Sequence, residues 1–138
     1  MTMMQLAGPA AETAFRLSKL RNELTRLADS VLDVAVRFEH YVQLAAPLTE
    51  RELAALSALL AYGTPAQSLE ADGHAVTQLH VVPRLGTISP WASKATDIAK
   101  VCGLEAVRRI ERGIVWSIET KQSPGAEQLR ALAMPLFD

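Results

Sequence analysis

A single cysteine, Cys102, leaves the chain without a partner for an intrachain disulfide, which suits a reducing compartment. There is no excess of either charge. Fourteen Lys and Arg stand against 15 Asp and Glu, a formal net charge of −1. A dedicated nucleic-acid binder would carry a basic face, and a protein held electrostatically on a membrane a polybasic patch, so both classes are disfavoured. The N-terminus, MTMMQLAGPAAETAF, shows no basic region ahead of a long apolar run, which speaks against a secretory signal. No apolar run reaches the roughly 18–20 residues that a membrane-spanning helix needs. The expectation is a cytoplasmic protein. The 138 residues fit one compact domain, and 49% hydrophobic composition suffices for its core.

The periodicities alternate between strand and helix. Met3–Leu6 reads as a short edge strand stopped by Gly8-Pro9. Ala11–Ala28 reads as a helix with Leu17, Leu20, Leu24 and Leu27 on one face and charges on the other. Val31–Leu44 alternates as a long strand, with Val34, Val36, Phe38, Val42 and Leu44 in one row. Thr49 and Glu52 have capping-box spacing ahead of a helix whose stripe is Leu53, Leu56 and Leu60, with Gly63 at C′. A polar loop, Thr64–Gly73, leads to a strand at Val76–Val82 that Pro83 ends. Ser89-Pro90 reads as N-cap and N1 of a helix to about Cys102, burying Ala95, Ile98 and Val101 or Cys102, with Gly103 at C′. Val107–Glu119 is a second long strand, with Ile110, Ile114, Trp116 and Ile118 in one row. Ser123-Pro124 repeats the cap device before a last helix with Leu129, Leu132 and Leu136, interrupted by Pro135.

The predicted fold is therefore α+β, built of duplicated strand-helix-strand-helix units. An antiparallel or mixed sheet is covered by helices, with pseudo-repeats at roughly 1–63 and 75–138 within a single domain spanning 1–138. Sequence identity between the halves is negligible, so the repeat rests on pattern alone.

No catalytic constellation stands out. The histidines His40, His74 and His80 have no convincing metal-ligand spacing, and no Ser/His/Asp or Cys/His order appears. His40, in the apolar row of its strand, reads as a satisfied, half-buried residue. Cys102 reads as core-facing and inert. The segment Arg84–Lys94 collects Gly86, Thr87, Ser89, Ser93 and Lys94 around a helix N-terminus, whose free N–H groups suit an anion. Its spacing is not that of a Walker A loop, and a well-capped turn is the simpler reading. Trp91 in the first turn packs either in the core or against another surface. Arg112 shares the row of Ile110 and Ile114. As a buried guanidinium it needs a partner, for which Glu39 or Glu111 are candidates. Otherwise it snorkels to solvent from the strand end, or its sheet face meets another polypeptide.

The segment PRLGTISPWASKATDIAKVCGL (83–104), followed by VRRIERGIVWSIE (107–119), closely resembles the N-terminal domain of the large, single-chain phosphoribosylformylglycinamidine synthases. AFRLSKL (14–20), Ala46-Pro47-Leu48 and Tyr62-Gly63 fit the same domain, so the resemblance extends over essentially the whole chain. It implies a fold like a fused pair of PurS subunits and a parent ligase of purine synthesis. That parent amidates formylglycinamide ribonucleotide using ATP, magnesium and glutamine. The domain itself would be non-catalytic and hold no cofactor or metal. It would bridge the synthetase and glutaminase domains and support ammonia transfer between them. Cys102 does not stand in for the glutaminase nucleophile, and no catalytic residue is carried over. Arg84, Thr87, Ser89, Trp91, Ser93 and Lys94 match the motif. With Arg112 they are the candidates for an interdomain or channel-facing surface. Self-association of the isolated chain is a further expectation, since PurS-like units pair. The alternative is a free-standing small nucleotide- or anion-binding protein using the Gly86–Lys94 turn.

Overall fold

The computed structural model describes residues 2–67, 69, 74–82 and 88–136. The elements run β1 (Thr2–Ala10), α1 (Ala14–Leu27), β2 (Val31–Leu44), α2 (Glu50–Leu59), β3 (Ala75–Val81), α3 (Pro90–Val101), β4 (Val107–Thr120) and α4 (Ala126–Ala133), followed by a 3-10 turn at Met134–Leu136. The strands form one antiparallel sheet in the order β1-β2-β4-β3. Pairing runs Ala45 to Ala106 and Lys121 to Ser30 between β2 and β4, and Ala11 to Val36 between β1 and β2. The chain is α+β, and its strand-helix order is the predicted one.

Contacts gather the chain into two compact units. One comprises Met1–Pro9, Phe38–Pro65 and Val82–Ile114, and the other Ala10–Arg37, Ala66–Val81 and Val115–Asp138. The first holds α2 and α3. Its core is Val42 and Leu44 of β2, Leu56 and Leu60 of α2, Ala99 and Leu104 from α3 and its exit, and Val107 and Ile110 of β4. The second holds α1 and α4, which touch each other, and buries Leu20, Leu24, Val34, Trp116, Ile118 and Leu132. Gln128 Nε2 donates to Ser30 Oγ at 3.1 Å within it.

Local chemistry sets most boundaries. Thr49 and Glu52 form the full capping box, with the Thr49 hydroxyl accepting from Glu52 N at 3.1 Å and the Glu52 carboxylate accepting from Thr49 N at 2.9 Å. Ser89 caps α3 by accepting from Ala92 N at 3.0 Å, with Pro90 at the start. Gly103 follows the Cys102 cap at φ 84°, as a left-handed C′ residue must. Both long strands occupy the segments that their alternation marks.

Other expectations are corrected. Gly8-Pro9 does not stop β1, which continues to Ala10. The strand lies at the sheet edge, where a proline is tolerated. The first helix starts at Ala14, not Ala11, because Thr13 is its cap and accepts from Arg16 N at 3.2 Å. Leu27 is 53% exposed, at the end of the stripe that buries Leu20 and Leu24. Leu53 is half exposed in the same way on α2, while Leu56 and Leu60 are buried. Gly63 does adopt φ 70°, but α2 is capped at Leu60, so Gly63 turns the chain two residues after the C′ position.

Ala95 packs half-buried against the core as expected, but it does so beside Ala92 and Ala99 rather than Ile98 and Val101, which are 41% and 88% exposed. Alanines thus make most of this helix's inward face, with Trp91 packing against the core from its first turn, while Ile98 and Val101 stay outside. Cys102 is exposed, since the helix ends there and its cap turns away from the core. The Ser123-Pro124 device does not form. Gly125 is the N-cap of α4, without a side-chain hydrogen bond, and Pro124 instead biases the residue before it toward extended backbone. The loop expected over Thr64–Gly73 and the stop at Pro83 lie partly or wholly outside the described residues.

Candidate functional site

A cluster of aromatic and cationic side chains gathers in the first unit. Phe38 and His40 come from β2, Tyr62 from the α2 exit, Trp91 from the first turn of α3, and Arg112 from β4. β2 presents Phe38 and His40 with period two, and Ser89-Pro90 fixes the start of α3 so that Trp91 meets them. The imidazole of His40 stacks on Trp91 with centroids 5.6 Å apart and planes at 21°, and meets Tyr62 edge-on at the same distance. The Arg112 guanidinium carbon lies 4.1 Å from the Phe38 ring centroid and 4.3 Å from that of Trp91. A cation so placed gains up to about 2 kcal/mol per desolvated ring.

The hydrogen bonds are directional. Arg112 Nη1 donates to the Tyr62 hydroxyl at 3.1 Å, because a guanidinium can only donate. The same hydroxyl lies 2.9 Å from His40 Nε2. With His40 neutral, the consistent arrangement is Tyr62 O–H donating to Nε2 while its oxygen accepts from Arg112. Burial holds the His40 imidazole below its ordinary value. Arg112 pushes the same way, against the Leu6 backbone and Glu39, which raise it. His40 Nδ1 is buried without a well-aligned partner. Gly8 closes the other side of the ring. A Cβ built there would stand 2.5 Å from His40 Cε1.

The expectations for single residues change accordingly. His40 is fully buried, not half-buried, with Tyr62 as its partner. Arg112 does not take Glu39 or Glu111 as its partner. It is held by Tyr62 and two rings, and Glu111 instead stands 3.2 Å from Arg109. Trp91 is half-buried. It packs against the core from outside and lines a groove beside it. Lys94 lines the same groove, whereas Ser93 lines a separate hollow with Gln43, Thr96 and Arg108. Ser89 spends its hydroxyl on the helix cap. Arg84 and Thr87 lie outside the described residues. His74 is paired with Glu119 at 3.1 Å.

Sequence reasoning named Trp91 and Arg112 but missed that they meet, and missed Tyr62 and Gly8 as contributors. Tyr62 is 22 residues from His40 and 50 from Arg112 in the chain, so no local spacing announces the cluster. The one signal was a histidine in an otherwise apolar row. Chemically the cluster locks elements together. Among the described residues no three His, Cys, Asp or Glu side chains converge as a metal site, and no helix is long and apolar enough to cross a membrane. The family model for the formylglycinamide ribonucleotide amidotransferase N-terminal region matches residues 37–138, a span that takes in Phe38, His40, Tyr62, Trp91 and Arg112. With that match over most of its length, the chain belongs to this family, whose enzyme works in purine biosynthesis.

Proposed function

We propose that the chain acts as a non-catalytic N-terminal domain of phosphoribosylformylglycinamidine synthase, bridging its synthetase and glutaminase domains and supporting ammonia transfer between them. The family match over residues 37–138 carries this reading. It is supported by the part-buried cluster, in which His40, Tyr62 and Arg112 engage one another and the rings of Phe38 and Trp91. The repeated strand-helix order accords with a fused pair of PurS-like units. On this reading ATP, magnesium and glutamine act in the other domains of a cytoplasmic ligase, and those domains are the partners of Ser89, Trp91, Ser93 and Lys94.

The test is complementation. The domain is mixed with the parent enzyme lacking it, and amidine formation from glutamine and from ammonia is followed separately. Return of the glutamine-dependent rate alone is the expected result. Return of both rates together would assign the domain to scaffolding of the synthetase. No return, with the truncated enzyme folded and active, would remove the role. The rival reading, a nucleotide- or anion-binding turn at Gly86–Lys94, has less support, because the Ser89 hydroxyl is already taken by Ala92 N. ATP should leave the melting temperature of the isolated chain unchanged, and a clear rise would favour the rival.

A further inference from the structure

Beside the buried cluster, α2 and α3 leave an open groove of about 170 Å³ lined by Leu59, Leu60, Tyr62, Trp91, Lys94 and Ile98. Its walls are mostly aliphatic and aromatic. The apolar surface continues along α3, where Ile98 and Val101 follow Lys94 at helical spacing and are 41% and 88% exposed. Lys94 is the only charged side chain on the lining, and it makes no ion pair or hydrogen bond among the described residues. The groove therefore joins an apolar seam to an unneutralised ammonium. The wall is pre-set, because Trp91 is fixed by its stack on His40 and by Arg112, and Tyr62 by its two hydrogen bonds.

We propose that this groove is a docking site for a segment of the remaining amidotransferase domains that lays apolar side chains along Trp91, Leu59 and Ile98 and brings an Asp or Glu to Lys94. The ammonium selects the occupant. A purely apolar segment would bury it unpaired and a basic one would repel it, whereas a carboxylate pairs with it at the rim and gives register. The inference rests on the bridging reading above and narrows it to one surface.

The experiment reads occupancy rather than activity. Ile98→Cys is made on a Cys102→Ser background, and maleimide modification at position 98 is timed by peptide mass. It is timed in the isolated 138-residue chain and in the full-length enzyme. Modification should be at least ten-fold slower in the full-length enzyme. Lys94→Glu should return it to the rate of the isolated chain, while Lys94→Arg should keep the protection. Equal rates in the two forms overturn the proposal. Protection that Lys94→Glu leaves intact overturns the carboxylate. If the rate in the isolated chain falls as its concentration is raised, a second copy is the occupant and the proposal fails. Equal rates together with successful complementation sink the groove alone. Failed complementation sinks the bridging role itself.

Discussion

Protonating His40 would place a second cation on the Tyr62 hydroxyl that already takes an Arg112 N–H. The folded-state value of this imidazole lies below its ordinary 6.5, so the unfolded chain binds the proton first as pH drops. The stability contributed by neutral His40 is complete above about pH 6.5, is lost as pH falls from there toward the folded value, and levels off below it. Urea midpoints measured from pH 8 to pH 5 should fall over this window. In His40→Gln that component of the slope should vanish, and a slope unchanged by the substitution would place the titration elsewhere. Gly8 supplies a second test. Gly8→Ala must push the His40 ring aside, an overpacking cost of about 1–3 kcal/mol. His40→Ala in the same chain should recover much of that, because the two changes share one contact. Their meeting was not readable locally. Trp91 and Arg112 stand out in their own segments and His40 interrupts an apolar row, but Tyr62 carries no local signal, and only the fold makes the four neighbours.

At the level of elements, the two Ser-Pro dipeptides look alike in sequence and behave differently. Ser89 accepts a backbone hydrogen bond as the cap of α3, whereas α4 is capped by Gly125, two residues beyond Ser123. Ser89→Ala should cost about 1 kcal/mol of unfolding free energy. Ser123→Ala should stay within about 0.5 kcal/mol, as an exposed position without a cap should. Equal costs would mean that α4 is capped in solution by Ser123. Leu56, fully buried in the α2 face, should lose about 2–5 kcal/mol on replacement by Ala. Element order, both long strands, the capping box and the Gly103 exit were legible because each depends on local periodicity or on a cap within four residues. The inward face of α3 was legible only in part. Ala95 was placed inward correctly, but large apolar residues look like core, and here Ala92 and Ala99 are buried while Ile98 and Val101 are left to the outside.

For the whole molecule, contacts draw each compact unit from three separated segments of the chain. The first unit takes Met1–Pro9, Phe38–Pro65 and Val82–Ile114. β2 and β4 each give one end to either unit. Fragments 1–72 and 73–138 should therefore show little cooperative unfolding alone and should regain strand and helix signal in circular dichroism when mixed. A fragment that melts cooperatively by itself would make the halves independent folding units. The family was legible from a single long motif. The sheet order β1-β2-β4-β3 was not, because strand neighbours are chosen by long-range packing rather than by any local signal.

The chain has two tryptophans, and the two units receive one each: Trp91 falls in the first and Trp116 in the second. Trp91 is stacked on an imidazole and covered by a guanidinium, while Trp116 is buried with its indole nitrogen unpaired. Their emission should differ accordingly, Trp91 quenched by its neighbours and Trp116 blue-shifted by its dry surroundings. Single-tryptophan chains thus turn each unit into its own fluorescent reporter, by which loss of either can be followed without adding a dye.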